Sequence, residues 1–485
     1  MNIKVYKKLC LICDKILGIN PNIYRVSIPL LHVLKEHPHL LDKYYFVKND
    51  KITKSLIRNT SHKKSFVRNF FLHKEIPHKI NKNYDIIFFT HLVNIDHLNQ
   101  EFDFYLSDFP VYLSTKKMNV LVVFLNQTKH SSSDLQKLVQ NDKVDKLVIP
   151  EFLNLKNEFM IYFGYLIELV KNRLLSLLKT GMERDAYRFF STIEGTRGTV
   201  FALRAAFFLR GLLGKYTPKI VFTVYEGHSW ERVIYKVAHD KSIQCIAYQH
   251  SVITENAHAI GRPLFNNYDP DLILTSGKIT KSILETKDIS KYSSIKEFGS
   301  SKLRNIKKPI SQKKNYLKKI LVIPEGLMDE CEKLLKFSYY SAFVMDEYEF
   351  IWRFHPHLDP DVVMKEIGIQ RSKLPKNIII SSNSLEKDIE ESSFALYRGS
   401  TAITDCVLGN VLPVYYNSGE SLTIDLFFQK NDLHPEVSNI DDLCKVVSNY
   451  AVNYDFETLK GYCNKYFSKP DYEKAFLDIE LMERQ

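Results

Sequence analysis

An apolar run leads straight into a basic, His-Pro-containing loop in the stretch Tyr348-Glu349-Phe350-Ile351-Trp352-Arg353-Phe354-His355-Pro356-His357. Aromatic and β-branched residues in the first half are typical of a buried strand. A second unit of this kind follows, where Ser393-Phe394-Ala395-Leu396-Tyr397 precedes the loop Arg398-Gly399-Ser400-Thr401, an amphipathic stretch and another strand at 411–416. Strand, loop and helix in this order predict a parallel α/β sheet, in which ligands bind beyond the carboxyl ends of the strands.

The same alternation extends over most of the chain. Further strands are predicted at 84–90, 120–125, 146–149, 219–225, 244–248, 270–277, 318–323 and 377–380. A long helical region is predicted at 154–213 with a break at 195–198, and a basic, Pro-containing linker at 302–314. We therefore predict an α/β fold with two Rossmann-like domains facing a cleft. The predicted divisions are an N-terminal domain with a helical insertion at 1–305, a C-terminal domain at 306–455 and a helical tail at 456–485.

Composition is that of a folded protein with more than one core. The chain has 485 residues, 45% of them apolar and 25% charged, which suits two domains. Its formal charge of +11 fits an acidic partner, although a Lys-rich composition accounts for that charge equally well. The basic residues are scattered, and no basic stripe is interleaved with aromatic residues, so no nucleic-acid partner is expected.

Cysteine spacing and hydropathy indicate the cellular compartment of the protein. Cys10 and Cys13 are the only close pair among seven cysteines, and no second pair completes a metal site, so we predict buried thiols and no metal or cofactor. No export signal is recognisable, which predicts a cytoplasmic protein, with contact at the inner face of the membrane left open. Residues 201–214 are apolar but interrupted by Arg204 and Arg210, which favours a core helix over a membrane-surface helix.

Four loop signatures recur at predicted strand ends: Tyr225-Glu226-Gly227-His228, Tyr248-Gln249-His250-Ser251, Arg353-Phe354-His355-Pro356 and Gly399-Ser400-Thr401. In this order they resemble the GT-B glycosyltransferases. More narrowly, they resemble bacterial surface-polysaccharide transferases that use CMP-activated acid sugars, namely sialyltransferases with a His-Pro motif and the Kdo transferases of capsule synthesis. The resemblance spans roughly residues 219–416. It implies a metal-independent enzyme with a CMP-activated sugar donor and a glycan or lipid-linked glycan acceptor.

The resemblance places the donor in the C-terminal half. It implies that His355 contacts the donor phosphate and that the Ser-rich loop assists at a helix start, because a leaving phosphate gains negative charge. The residues expected on the donor side are Arg353, His355, Pro356, Arg398, Ser400, Thr401, Glu325 and Gly326. A core or capping role for His355, and an ordinary helix cap at the two hydroxyl residues, are the structural alternatives.

The resemblance places the acceptor in the N-terminal half. Family sialyltransferases carry two acids followed by Gly, and here Tyr225 occupies the first acidic position. Glu226 is therefore the expected base, or the nucleophile of a retaining mechanism, unless it pairs with Arg232 or caps the next helix. His250 is a second catalytic candidate, and Gly227, His228 and Arg262 are further cleft candidates. For Arg262 the choice lies between a clamp on a sugar carboxylate and a solvated surface position.

Other functions remain open at this point. A CDP-alcohol phosphotransferase of teichoic-acid type, a nucleotide-diphosphate-sugar transferase, a nucleotide-sugar epimerase and a non-catalytic GT-B-like scaffold share the same architecture. Screening donors separates the enzymes. The scaffold would tolerate the loss of both Glu226 and His355.

Overall fold

Two parallel β-sheets organise the chain. The computed structural model describes residues 3–32, 83–99, 103–140, 143–193, 195–300, 317–355, 358–419, 422–430, 432–449 and 456–483. Within these ranges one sheet has seven strands and the other has six. Every strand pairing is parallel, so helices must connect the strands and cover both faces. The α/β fold with two Rossmann-like domains that the sequence predicts is confirmed.

The N-terminal sheet runs in the order β3-β2-β1-β4-β5-β6-β7. Its strands are β1 (Ile86–Leu92), β2 (Val120–Asn126), β3 (Asp145–Val148), β4 (Ile220–Val224), β5 (Gln244–Gln249), β6 (Leu272–Thr275) and β7 (Ser294–Glu297). Every residue of β1 and β4 is buried, as expected for central strands covered on both faces. The strand order reverses between β1 and β4, and this point is where open α/β sheets place their ligands.

The helices of this half are, within the described residues, α1 (Ile3–Gly18), α2 (Ile23–Val26), α3 (Phe109–Thr115), α4 (Ser132–Leu138), α5 (Leu155–Leu177), α6 (Gly181–Phe189), α7 (Thr199–Leu213), α8 (Ser229–His239) and α9 (Lys278–Glu285). The predicted helical region is thus three helices, because the chain turns after α5 as well as before α7. Helix α7 lies mostly in the core, as its Arg-interrupted apolar pattern predicts. No described helix has the length and apolar character needed to cross a membrane.

The C-terminal sheet runs in the order β10-β9-β8-β11-β12-β13. Its elements are β8 (Lys319–Ile323), α10 (Met328–Val344), β9 (Glu349–Trp352), α11 (Pro360–Ile367), β10 (Ile378–Ile380), α12 (Leu385–Glu390), β11 (Phe394–Tyr397), α13 (Ile403–Leu408), β12 (Leu412–Tyr416), β13 (Glu436–Val437) and α14 (Ile440–Ser448). Here the strand order reverses between β8 and β11. The predicted linker at 302–314 lies outside the described residues.

Two final helices, α15 (Phe456–Tyr466) and α16 (Tyr472–Glu483), return to the N-terminal half. The Tyr466 hydroxyl donates to the carbonyl oxygen of Leu426 in the C-terminal half. Immediately afterwards, the Ser468 N–H donates to the Ser276 carbonyl at 2.9 Å, beyond the end of β6. Gly277 is needed there because a Cβ would overlap the Tyr466 carbonyl. The tail therefore joins the two halves through backbone contacts.

Candidate active site

The loop after β4 is held by one buried carboxylate. Glu231, in the first turn of α8, is fully buried and accepts the backbone N–H groups of Glu226 at 2.9 Å, Gly227 at 2.8 Å and His228 at 2.9 Å. These N–H groups precede a helix and would otherwise need other acceptors. The prediction that Glu226 itself caps α8 is therefore wrong, because Glu231 performs that task.

The same loop lies directly against the segment 259–262. Gly227 has φ +83°, and a Cβ there would come within 2.8 Å of the backbone of Ala259 and Ile260. Tyr225 is fully buried and donates its hydroxyl to the Ile260 carbonyl at 3.0 Å. Burial raises the pKa of Tyr225 well above its usual range. The residue at the first acidic position of the family motif is thus a core phenol, not a base.

Glu226 lies between two imidazoles. Its Oε2 is 2.9 Å from Nε2 of His228, and its Oε1 is 3.3 Å from Nε2 of His250, which follows β5. The side chain of Glu226 is 17% exposed, which leaves a route for an acceptor hydroxyl. Sequence reasoning selected these three residues separately, and the structure brings them together. The alternative pairing with Arg232 is wrong, because that arginine pairs with Asp269.

Sequence reasoning missed two aromatic residues of this cluster. His91, near the end of β1, has its ring centroid 6.1 Å from that of His228, and the Tyr105 ring centroid is 4.6 Å from that of His250. Burial and the nearby Glu226 charge raise the pKa of Tyr105, so the phenol keeps its proton. The available signal was the position of His91 at the carboxyl end of a strand beside the reversal in strand order.

The spacing of three of these groups would also admit a metal ion. Single ligand atoms of His91, Glu226 and His228 lie within 4.8 Å of one another. However, Nε2 of Gln127 lies 2.8 Å from Nδ1 of His91, and an amide nitrogen can only donate. With the amide in this orientation, Nδ1 accepts and the imidazole proton lies on Nε2, whereas a flipped amide would accept from Nδ1 and leave the Nε2 lone pair for a ligand. The orientation of Gln127 therefore sets the tautomer of His91.

Arg262 lies neither in a cleft where it could bind a sugar carboxylate nor on the solvated surface, the two positions that the sequence suggested. Its guanidinium is buried, pairs with Asp14 of α1 and donates to the Leu31 carbonyl at 2.8 Å. Both the sugar-carboxylate clamp and the solvated surface position are therefore wrong. Arg262 fastens the N-terminal helix to the segment that supports Gly227.

In the C-terminal half, the loops after β8, β9 and β11 meet. A Cβ on Gly326 would lie 3.3 Å from Nδ1 of His355, so the imidazole rests against that glycine. A Cβ on Gly399 would lie 2.8 Å from Oε1 of Glu325, so that carboxylate rests against the loop after β11. His355 is half-buried. Glu325 and Gly399 lie in the loops that follow β8 and β11, the two strands between which the strand order reverses, and this is the position expected of a ligand site.

The two arginines of this half are tied into the protein. Arg398 is buried, pairs with Glu330 of α10 and donates to the Tyr416 carbonyl at 2.9 Å. Arg353 is partly exposed and donates to Asp388 at 2.9 Å. The expectation that Arg398 adds a direct hydrogen bond to a donor phosphate is thus replaced by a structural role, whereas Arg353 retains exposed surface.

The hydroxyl residues do not cap the helix that follows them. Helix α13 has six residues, its N-cap is Ala402, and no side chain caps it. Ser400 and Thr401 are half-buried and precede that cap. The alternative of an ordinary N-cap is therefore wrong for both hydroxyls, and a helix so short adds little dipole. Pro356 lies outside the described residues.

No protein-family profile and no curated protein matches the chain. Among solved structures it is similar to the glycotransferase of kitacinnamycin, at 11% identity over 83% of this chain and 99% of that one, with a TM-score of 0.47. It is also similar to the UDP-GlcNAc 2-epimerase from Neisseria meningitidis bound to UDP-GlcNAc, at 12% identity over 82% and 99%, with a TM-score of 0.47. The glycosyltransferase SnogD from Streptomyces nogalater follows at 10% identity over 83% and 100%, with a TM-score of 0.42. Likeness of this degree assigns no activity.

Proposed function

We propose that this protein is a glycosyltransferase that moves a sugar from a nucleotide-activated donor to an acceptor hydroxyl. The observation that carries the proposal is that each sheet has a polar cluster where its strand order reverses. In the N-terminal half this cluster is Glu226 with His228 and His250, and in the C-terminal half it is Glu325 with His355. Two chemically different sites in two Rossmann-like halves suit an acceptor and a donor.

Glu226 is the proposed base. As the acceptor oxygen bonds to the anomeric carbon, its proton passes to the Glu226 carboxylate. The bond between the anomeric carbon and the phosphate oxygen breaks, and its electron pair leaves with the nucleotide. The imidazoles of His228 and His250 hold the carboxylate in place from both of its oxygens.

His355 is the proposed partner of the leaving phosphate. Its half-buried imidazole lies against Gly326, where the missing side chain allows a ligand to approach the backbone. A positioned imidazole stabilises the negative charge that develops on the phosphate, or donates a proton to it. Arg353, Ser400 and Thr401 are proposed to contact the donor as well, with Glu325 and Gly326 near its ribose or base.

The proposed donor is a CMP-activated acid sugar of the Kdo or sialic acid kind, and the proposed acceptor is a surface or lipid-linked glycan. The support for this finer assignment is the order of the four loop signatures around Glu226, His250, His355 and Ser400. A nucleotide-diphosphate-sugar transferase and a CDP-alcohol phosphotransferase are the competing assignments. The nucleotide-diphosphate-sugar transferase would release a nucleoside diphosphate. The CDP-alcohol phosphotransferase would also release CMP, and differs in transferring a phosphoalcohol instead of a sugar.

Nucleotide-dependent thermal stabilisation tests the donor side. A ligand that binds only the folded protein raises the melting temperature by mass action. We expect CMP to stabilise the wild type more than UMP, UDP or GDP, and His355→Ala to abolish the shift. His130→Ala, which removes an exposed histidine from the other half, is the matched control and should respond like the wild type. Stabilisation by UDP alone would exclude a CMP donor.

A turnover assay tests the acceptor side independently. Release of CMP from CMP-Kdo or CMP-sialic acid should require a glycan acceptor, and Glu226→Gln should lower kcat by at least about a hundredfold while leaving CMP binding intact. Unchanged turnover in Glu226→Gln would refute its role as base. Unchanged glycan synthesis in cells that carry both Glu226→Gln and His355→Ala would instead support the scaffold function.

A further inference from the structure

Helix α5 turns its polar side inward. Glu158 is buried and accepts two hydrogen bonds of 2.9 Å from Arg204 of α7. Glu168 is buried and pairs with Arg25 of α2, which is buried as well. These ion pairs fix the rotation of the helix about its axis, because turning it would leave buried charges without partners.

The opposite side of α5 is apolar and exposed. Seven large side chains are each at least half exposed: Leu155, Phe159, Phe163, Leu166, Val170, Leu174 and Leu177. Single exposed apolar residues are ordinary, whereas a continuous stripe along a helix of about 33 Å marks an interaction surface. Burying these side chains inside the protein would require breaking both ion pairs.

The exposed charges of α5 itself are all positive. The exposed charged residues of the helix are Lys156, Lys171 and Arg173, and both of its acidic residues, Glu158 and Glu168, are buried. An apolar face on a helix with basic residues and no exposed acid of its own is complementary to an anionic lipid surface. Two copies of this face would repel each other.

The spacing of the stripe argues against a left-handed coiled coil. Its members are separated by four, four and three residues, a pattern that repeats every 11 residues. A left-handed coiled coil needs a seven-residue repeat, whereas an 11-residue repeat stays close to one face of a straight helix or follows a right-handed supercoil. Exposed Ile167 and Leu178 widen the face beyond a narrow seam.

We propose that α5 is an interfacial membrane helix, which docks the protein on an anionic bilayer by inserting this apolar face between the lipid headgroups. The helix starts seven residues after β3 ends. It therefore begins at the carboxyl edge of the N-terminal sheet, the edge that carries Glu226. Docking there holds this edge near the bilayer.

Co-sedimentation with vesicles tests the docking. The purified protein is mixed with vesicles of phosphatidylcholine alone or of phosphatidylcholine with phosphatidylglycerol. We expect binding to the anionic vesicles, reduced by about tenfold or more in the triple variant Phe163→Ser, Leu166→Ser and Val170→Ser. The matched control is Tyr340→Ser, Phe343→Ser and Val344→Ser, which alters three equally exposed residues of α10 and should bind like the wild type. Lys171→Glu with Arg173→Glu should weaken binding to anionic vesicles only.

The following outcomes would each contradict the proposal. Absence of binding to either vesicle, or equal binding by the α5 triple variant, would show that the face does not insert. A lower melting temperature of that variant without vesicles would show that the face is packed within the folded chain. A wild-type dimer in solution that the variant loses would assign the face to a second copy of the chain. None of these measurements depends on transferase activity.

Discussion

Replacing Glu231 by Gln should disorganise the loop that carries Glu226. The wild-type carboxylate accepts three backbone N–H groups, one on Oε1 and two on Oε2. Glutamine has one oxygen and one NH2 group, so in either orientation the NH2 group faces at least one backbone N–H. The substitution hardly changes the volume of the side chain, so its effect comes from these hydrogen bonds and from the loss of a buried negative charge near Arg232.

The cost follows from these contacts. In the better orientation the amide oxygen keeps the N–H groups of Gly227 and His228, and the hydrogen bond to the Glu226 N–H is lost. A hydrogen bond to a charged group contributes about 1.5 to 3 kcal/mol and a neutral one about 1 kcal/mol. One lost bond and two weakened ones therefore total roughly 2.5 to 7 kcal/mol. At about 2 to 4 °C for each kcal/mol, the melting temperature should fall by at least about 5 °C.

Thermal unfolding and backbone hydrogen exchange measure this effect together. The N–H groups of 226–228 should exchange faster in Glu231→Gln, by about tenfold for every 1.4 kcal/mol lost locally. Turnover should fall by about tenfold to a hundredfold with the donor KM unchanged, because the loop positions the base and does not contact the donor. Glu285→Gln, an exposed carboxylate in the same half, is the control and should leave all three readouts unchanged.

An unchanged melting temperature together with unchanged exchange at 226–228 would refute the reasoning, since the carboxylate would then not be holding the loop. A lower melting temperature with normal turnover would be equally informative. It would separate the stability of the loop from catalysis and remove Glu226 as the base.

Three further predictions use other parts of the structure. Gly227→Ala should cost at least about 1 to 2 kcal/mol in melting experiments because of its positive φ and the close backbone, whereas Gly211→Ala, in an open helical position, should be neutral or stabilising. Burial raises the pKa of Asp103 from 3.8 to about 6, so the native state binds that proton more tightly and loses up to roughly 3 kcal/mol as the pH rises from 4 to 7. Asp103→Asn should therefore gain melting temperature relative to wild type over that range, and a pH-independent difference would contradict this. Arg398→Ala should lower stability by about 3 to 5 kcal/mol, because it removes the buried guanidinium that pairs with the buried carboxylate of Glu330, a loss that His355→Ala should not share.

The backbone of the fold was predictable because its strands are fully buried. Runs such as 120–125 and 219–225 are nearly continuous in apolar residues, which is the pattern of strands covered on both faces. The edge strands β7 and β13 were missed, since Ser294–Glu297 is partly exposed and Glu436–Val437 has only two residues. An edge strand has one partner and need not be apolar, so periodicity gives no signal there.

The side-chain partners of the site were less predictable than its position. Glu226, His250 and His355 could be found from their positions after predicted strands, because polar residues at the carboxyl ends of parallel strands lie at one edge of the sheet. The fate of the arginines depended on acids far away in the sequence. Arg262 is neutralised by Asp14, 248 residues earlier, and Arg398 by Glu330, 68 residues earlier. The position of an arginine in a loop therefore does not show whether it binds a ligand phosphate or forms a structural ion pair.

The orientation of helix α5 also depends on ion-pair partners that are distant in the sequence. Sequence patterning assumes that the apolar side of a helix faces the core, which favoured a core position for the more apolar α7 and gave no reason to expect an exposed apolar side on α5. Helix α7 is the buried one, while α5 exposes its apolar side because Arg25 and Arg204 hold its two acids inside.

The packing of Tyr225 explains why this position does not present an acid to the cleft. Its side chain points into the core, where its hydroxyl donates to the Ile260 carbonyl and its ring lies against the guanidinium of Arg232, so an aspartate at this position would be a buried charge beside a carbonyl oxygen. Position 225 therefore cannot present a base here whatever its identity, unless the segment at 259–262 moves. Glu226, one residue further, is the first side chain past the strand that leaves the core, and His228 and His250 reach both of its oxygens. The Tyr225→Asp substitution should accordingly destabilise the protein without restoring activity to Glu226→Gln, and rescue of turnover in that double variant would show that the base belongs at 225 after all.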